Sequence, residues 1–337
     1  MVHRWYGCIG GGLASLLLGG CNVADDLMQQ WRGPDVSGLP PCVDDDCDCG
    51  DFISQGLAQE VLGTFTGDPF TLDRDGNGLA CESLPAVSPP LDQPVTVSDS
   101  PHLVLGNPSN AGTSNLNNYL MARQQYVLSY NRDRNLLNWA SWEVDASWLG
   151  QVERQDDFRP DGGLPPGTYQ VTSRDYEGSG YDRGHIVPSA DRNRTEDDNS
   201  ATFLMTNIIP QTPENNRGPW RELENYIRDL VYQYDHSLHL YAGAYGNRGT
   251  IGQRAVTVPS RLWKVVIVYD RMENGNLGLT GNTQVIAVDM PNRDRVSEDW
   301  RDYQTSIDRI EIATGYDFLA DMPEDLEAVL EAQTSKE

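Results

Sequence analysis

Apolar positions follow three regimes along the chain. From Ile9 to Gly20 they form one short block of small and aliphatic residues behind Arg4. From Asn22 to Pro41, and again from Ser83 to Ser98, periodicity is lost and prolines accumulate, which predicts a flexible tether and a linker. From Asn118 onward the pattern is that of a packed α+β domain. Runs at Gln125 to Tyr130, Trp139 to Val144, Leu238 to Ala244, Leu262 to Tyr269 and Gln284 to Val288 predict strands. Trp220, Leu223, Ile227, Leu230, Val231 and Tyr234 recur at three- and four-residue steps, predicting an amphipathic helix entered through Gly218-Pro219. Its polar face carries Arg221, Glu224 and Arg228.

Composition changes this picture in one respect. The chain has 337 residues, 50 acidic and 25 basic, for a formal charge of −25. That charge repels nucleic acid at long range, so a nucleic-acid partner requires a local basic site. The absence of any 18-residue apolar run in the sequence excludes a polytopic membrane protein. Nearly all the cations are arginines; Lys264 and Lys336 are the only lysines.

The N-terminal block reads as an export signal, residues 1–20, with small residues at its end. Leu18-Gly19-Gly20-Cys21 resembles the lipobox of bacterial lipoproteins, in which Cys21 becomes the lipidated N-terminus; an ordinary cleavable signal with an incidental cysteine is the alternative. The protein is therefore expected in the cell envelope or outside the cell. Residues 22–41 are the tether, 42–82 a small module, 83–98 the linker and 99–337 the large domain.

Export makes disulfides expected among Cys42, Cys47, Cys49 and Cys81. Cys49–Cys81 with Cys42–Cys47 is one pairing; spacing leaves the others open. Asp73, Asp75 and Asn77 occupy positions one, three and five of a loop with Gly76 between, and Leu79 would offer its carbonyl, as an EF-hand begins. Glu82 stands at position ten, not twelve, so the loop is not an ordinary EF-hand. From Cys49 to Glu82 it resembles the Excalibur module, which implies bound Ca²⁺; an acidic turn without metal is the alternative.

Among five histidines, His185 stands apart, closing Asp182-Arg183-Gly184-His185 ahead of Ile186-Val187-Pro188. An imidazole near neutral pH can take a proton from water. Downstream come Thr206-Asn207-Ile208-Ile209-Pro210-Gln211 and Asn215-Asn216-Arg217-Gly218-Pro219-Trp220-Arg221-Glu222-Leu223-Glu224. With the flanks Trp148 to Gln155 and Thr314 to Leu319, these blocks resemble the DNA/RNA non-specific endonucleases of the ββα-metal (His-Me finger) type, in their cyanobacterial secreted branch. The resemblance runs from about Tyr126 to Leu319.

It implies a ββα-metal fold, a central antiparallel sheet flanked by helices, and hydrolysis of DNA and RNA. It makes His185 the general base, Asn216 the single protein ligand of Mg²⁺ or Mn²⁺, and Glu224 the holder of the metal's water shell. Arg154 becomes a phosphate clamp and Asn207 an orienter near the base. Arg183, Arg217 and Arg228 become substrate partners, and Asp182 a supporting residue. Expected partners are DNA and RNA, the membrane through lipid on Cys21, and a protein inhibitor.

The residue types suit the chemistry independently. Phosphodiester hydrolysis needs a deprotonated nucleophile, neutralisation of charge on the non-bridging oxygens and help for the leaving oxygen. An amide ligand leaves the ion's double charge uncancelled, and Mg²⁺ keeps most of its waters. Arg154, Arg183, Arg217, Arg221 and Arg228 are expected to focus a local positive field. Two other functions fit the same sequence: a nucleotide phosphodiesterase or pyrophosphatase, and a calcium-dependent surface-binding lipoprotein with an inactive nuclease-like domain.

Overall fold

The computed structural model describes residues 47–52, 55–84, 100–253, 256–270 and 277–334. The expected signal, Cys21, the tether, Cys42 and the linker from residue 85 on lie outside the described residues. Among the described residues no helix is long and apolar enough to cross a membrane.

The small module contains helix α1 (Gln55–Thr64) and a core built on Phe52, Ala58, Val61, Leu72 and Ala80. The Cys49–Cys81 disulfide closes it, selecting that pairing from those left open by spacing. Cys47 is also disulfide-bonded. Leu84 packs into this core, so the module reaches past the expected end at Glu82.

The large domain follows as β1 (Tyr119–Ala122), β2 (Val127–Asn131), β3 (Leu136–Val144), β4 (Asp182–His185), α2 (Glu196–Ala201), β5 (Ile208–Gln211) and α3 (Arg221–Tyr234). Then come β6 (Ser237–Tyr245), β7 (Thr250–Ile251), β8 (Val256–Thr257), β9 (Arg261–Tyr269), β10 (Val285–Pro291), β11 (Gln304–Thr305), α4 (Ile307–Thr314) and α5 (Glu324–Glu331). Seven strands form one antiparallel sheet in the order β1-β2-β3-β6-β9-β10-β11. The β4–β5 pair is a separate antiparallel ribbon.

All five expected strands form, with shifted ends. Gln125 and Tyr126 belong to the turn between β1 and β2, and β3 begins three residues early because all nine of its positions are buried. Burial on both faces removes the polar alternation that would mark a boundary. The α3 stripe ends at Val231: Tyr234 is 63% exposed, contrary to the expectation, because the helix closes at Asp235 in a left-handed conformation (φ 57°).

The sheet separates two cores. On β9, Leu262, Val266 and Val268 face the core that holds Trp220, Leu223, Ile227 and Val231. Trp263, Val265 and Ile267 face the core of Ile307, Ile310, Phe318 and Leu330. Lys264 shares the parity of Leu262 and Val266, so the two-residue period points this lone charge toward α3.

Two fully buried histidines sit at the second face. His102 Nε2 donates to the Gln124 carbonyl and Nδ1 accepts from the Glu143 amide, a pairing only the neutral ring can make. Ser141 Oγ donates to the His102 carbonyl and therefore accepts from His239 Nε2 at 3.0 Å. Burial, with Arg192 adding to it, lowers His102 to about 3, and burial with His102 beside it lowers His239 to about 3. Below pH ~6.5 the unfolded chain binds protons that the native state refuses, so this stability is complete above that pH and drains away toward pH 3. Urea denaturation between pH 6 and pH 4.5 should show His239→Gln losing stability more slowly than the parent, by about 1.4 kcal/mol per pH unit. Parallel slopes would refute the neutral assignment.

Candidate active site

The β4–β5 ribbon carries the imidazole and the following turn carries the amide. The strands pair Asp182 with Gln211 and His185 with Ile208. Gly184 has a steric reason: a β-carbon there would run into Gln211 Oε1 and stand 2.7 Å from Gln211 Cβ. Gln211 is fully buried, and its Nε2 donates to Asn215 Oδ1, linking the ribbon to the turn before Asn216. Asn216 to Trp220 carry the chain through a kink between two helical segments, with non-helical backbone at Gly218 (φ −103°, ψ −116°) followed by Pro219.

Asp182 joins the two parts. Its Oδ2 accepts from Asn216 Nδ2 at 2.9 Å, and Arg217 reaches both carboxylate oxygens, Nη2 at 2.6 Å and Nε at 2.8 Å. The amide is held by its nitrogen, which leaves Oδ1 as its acceptor atom. Asn207, fully buried, straps the chain beyond the base: its Oδ1 accepts from the Val187 amide and its Nδ2 donates to the Val187 and Thr202 carbonyls. It acts on the backbone beyond the ring.

The His185 ring packs edge-on to Phe203 (4.8 Å between centroids) and against Phe158 (5.4 Å). Its Nε2 is buried without a hydrogen-bond partner. Desolvation first, then the charges of Arg154 and Arg183, lower its pKa to about 3, so the ring is neutral at physiological pH. Each guanidinium covers one of the two aromatic walls: Arg154 lies 4.7 Å from the Phe203 centroid, Arg183 4.1 Å from that of Phe158. Arg154 also donates to Ser189 Oγ (2.8 Å) and Asp156 (2.6 Å), and Arg183 to Ser173 Oγ (3.0 Å).

A cleft of about 430 Å³ brings together Arg154, Phe158, Ser173, Asp182, Arg183 and Asn216. His185, Asn207, Glu224, Arg217 and Arg228 are not among its lining residues; the His185 ring lies behind Phe158, which is on the cleft wall. Arg228 turns to Asp191 at 2.9 Å, Arg217 to Asp182, and Arg221 to Glu222 at 3.4 Å. The expected five-arginine field thus narrows to Arg154 and Arg183, the two arginines that line the cleft, and of these Arg154 already pairs with Asp156 on the same wall.

Beneath α3, Glu224 meets buried Lys264 at 3.3 Å, and the ammonium stands 4.2 Å from the Trp220 ring centroid. Burial raises Glu224 despite Lys264 and Arg228, and burial lowers Lys264 despite Glu224. Asp191 also accepts from Trp142 Nε1 at 3.1 Å. Sequence reasoning missed Lys264, Asp191, Ser189, Ser173 and both phenylalanines. Lys264 had a readable signal, a single charge inside an apolar strand run; the others occupy irregular segments without one. The oxygen donors present, the Asn216 amide and the Glu224 carboxylate, suit a hard, mostly hydrated cation.

In the small module, Asp73 accepts from the Asn77 and Gly78 amides, and Asn77 Nδ2 donates to both Asp75 and Glu82 at 3.1 Å. Leu79 is half exposed. Gln59 of α1 bridges the loop through Gly78 and Ala80. The predicted ligand side chains therefore share one loop. The turn at Cys49 to Asp51 packs on Ser173 to Tyr176, with Asp48 3.7 Å from Arg174.

A two-stranded ribbon delivering a histidine, followed by a helix whose first turns carry an asparagine and a glutamate, defines a ββα-metal nuclease. The family model for DNA/RNA non-specific endonuclease matches residues 107–325, and the chain belongs to that family. A nuclease of Nostoc sp. is 48% identical over 257 residues, covering 76% of this chain and 93% of that protein. Human mitochondrial endonuclease G is 32% identical over 164 residues, covering 44% of this chain and 54% of its relative. A chain of the solved EndoG/EndoGI complex superposes with a TM-score of 0.57 at 23% identity, covering 67% of this chain and 92% of that one, which supports the fold. The protein is an enzyme, a nuclease that hydrolyses nucleic acid.

Gly184→Ala should lower the unfolding free energy by about 1–3 kcal/mol through overpacking against Gln211, read from urea midpoints. Unchanged stability would mean that Gln211 yields freely and the close approach is unimportant.

Proposed function

We propose that the protein is an exported, Mg²⁺-dependent endonuclease that cleaves DNA and RNA alike. The observation that carries this is the neutral His185 imidazole, set between two aromatic walls that each bear a guanidinium, beside a cleft containing Asn216. The ring's free lone pair takes the proton of the attacking water. Arg154 and Arg183 bind and orient the phosphate, offering donors to its non-bridging oxygens. Phe158 and Phe203 keep bulk water from the ring. Asp182 holds the Asn216 amide in place, and Asn207 fixes the backbone beyond the base.

Asn216 Oδ1, with Glu224 through water, would hold the ion, which supplies charge neutralisation at the phosphate and the departing oxygen. Each of these groups addresses phosphate, not a base edge or a 2′-hydroxyl, which favours indifference to sequence and sugar. Mn²⁺ fits the same oxygen donors. Cleavage of the signal before Cys21, with lipid on that sulfur, would place the enzyme at the cell envelope. The loop of Asp73, Asp75, Asn77, Leu79 and Glu82 would take Ca²⁺. A protein inhibitor is a further proposed partner; the similar solved structure is described as showing the mechanism of EndoG inhibition.

Supercoiled plasmid, single-stranded RNA and a dinucleotide should be offered side by side. With Mg²⁺ both polymers should be cut; EDTA should stop the reaction, and His185→Ala should slow it by about 10²–10⁴. Cleavage of the dinucleotide alone would replace the endonuclease with a nucleotide phosphodiesterase, and an unimpaired His185→Ala would remove the base. Separately, Asp75→Ala should abolish the rise in melting temperature that Ca²⁺ gives the full chain through this loop, while Mg²⁺-dependent cleavage persists. A Ca²⁺ response identical to the parent's would exclude the loop as a site.

A further inference from the structure

On the sheet face opposite α3, three carboxylates meet without a cation. Asp308 and Glu311 lie one turn apart on α4, and Glu331 ends α5. One oxygen from each falls within 4.8 Å of the others, and this is the one such trio among the described residues. Two oxygens on the same Ca²⁺, each 2.3–2.6 Å from the ion, stand at most about 5 Å apart. The spacing is that of a shared ion.

Burial makes the arrangement expensive without one. Glu331 is 7% exposed, and its Oε1 is buried with no hydrogen-bond partner. Glu311 Oε1 accepts from the Phe318 amide at 2.8 Å, which fixes its carboxyl in the cluster. The neighbouring charges that act on Glu331 are those of Glu311, Glu327 and Asp308, and those on Glu311 are Asp317 and Asp308. Burial and these like charges push Glu331 up to about 8. The Glu331 carboxyl meets that of Glu311 within hydrogen-bond reach while its Oε1 is buried without a partner, so the trio requires either a cation or a proton held between the two glutamates. Asp308 is exposed, leaving a path for the ion and for waters to complete its shell.

We propose that Asp308, Glu311 and Glu331 form a structural site for a hard divalent cation of the Ca²⁺ class, which clamps α5 to α4 over the sheet. The site is separate from the cleft and from the loop at Asp73. Ca²⁺ is favoured over Mg²⁺ because carboxylates from two helices give irregular geometry, which the larger ion accepts. The clamp closes over Ile307, Ile310 and Leu330, the apolar residues through which these helices cover that face.

Hydrogen exchange of the full chain, read on peptides covering 307–314 and 324–331, tests it. At 5 mM CaCl₂, and half-saturation near 0.5 mM as in extracellular sites, exchange should slow about tenfold. Glu331→Gln, a near-isostere that removes charge and leaves the fold intact, should abolish the slowing, and Asp308→Asn should shift it to higher Ca²⁺. A Ca²⁺ effect equal in Glu331→Gln would come from another site and overturn the proposal. No Ca²⁺ effect in the parent would assign the space to a proton shared by the two glutamates, and would overturn it equally.

Discussion

A single carboxylate ties the strand that bears the His185 imidazole to the turn that bears the Asn216 amide. Asp182 lies on β4 three residues before His185, and it binds Asn216 and Arg217 across thirty-four and thirty-five positions of sequence. Charge-assisted bonds of this kind are short and directional. Without them, the kinked turn would be connected to the ribbon mainly by Gln211 and Asn215. The relative placement of His185 and Asn216, the proposed proton acceptor and the proposed cation ligand, therefore rests on this junction.

The second support is electrostatic and lies under the helix. Lys264 projects from the apolar face of β9 to meet Glu224, in surroundings of tryptophan and aliphatic side chains. Such a pair need not stabilise the fold relative to an apolar replacement, but removal of one partner strands the other at a cost of about 3–5 kcal/mol. Arg228 and Asp191 repeat the arrangement nearby. The carboxylates under the helix are thus matched by cations from the scaffold, and on the cleft wall Asp182 pairs with Arg217 and Asp156 with Arg154, which leaves Arg183 as the wall arginine bound to a neutral hydroxyl. This reconciles a strongly negative chain with a negatively charged substrate.

Local pattern and long-range geometry differed in how far the sequence exposed them. The α3 stripe was legible because Leu223, Ile227, Leu230 and Val231 obey one period, and the β9 run was legible because nothing but Lys264 interrupts it. His185 and Asn216 were legible through their surrounding blocks. The bond from Asp182 to Asn216 was not, since nothing local distinguishes one long-range partner from another. Phe158 and Phe203 were missed for a different reason: they stand in irregular segments whose order comes from tertiary contacts. The five arginines looked equivalent in sequence, and only their placement in the fold separates the pair that lines the cleft. Cysteine spacing left several pairings open, and one of them was settled by the closeness of two chain segments thirty-two residues apart.

Lysine scarcity has a practical corollary in chemical modification. One of the two lysines of the sequence, Lys264, is sealed between sheet and helix and closed to amine-directed reagents. Acylating dyes or activated resins should consequently leave this interior ammonium untouched for as long as the fold holds.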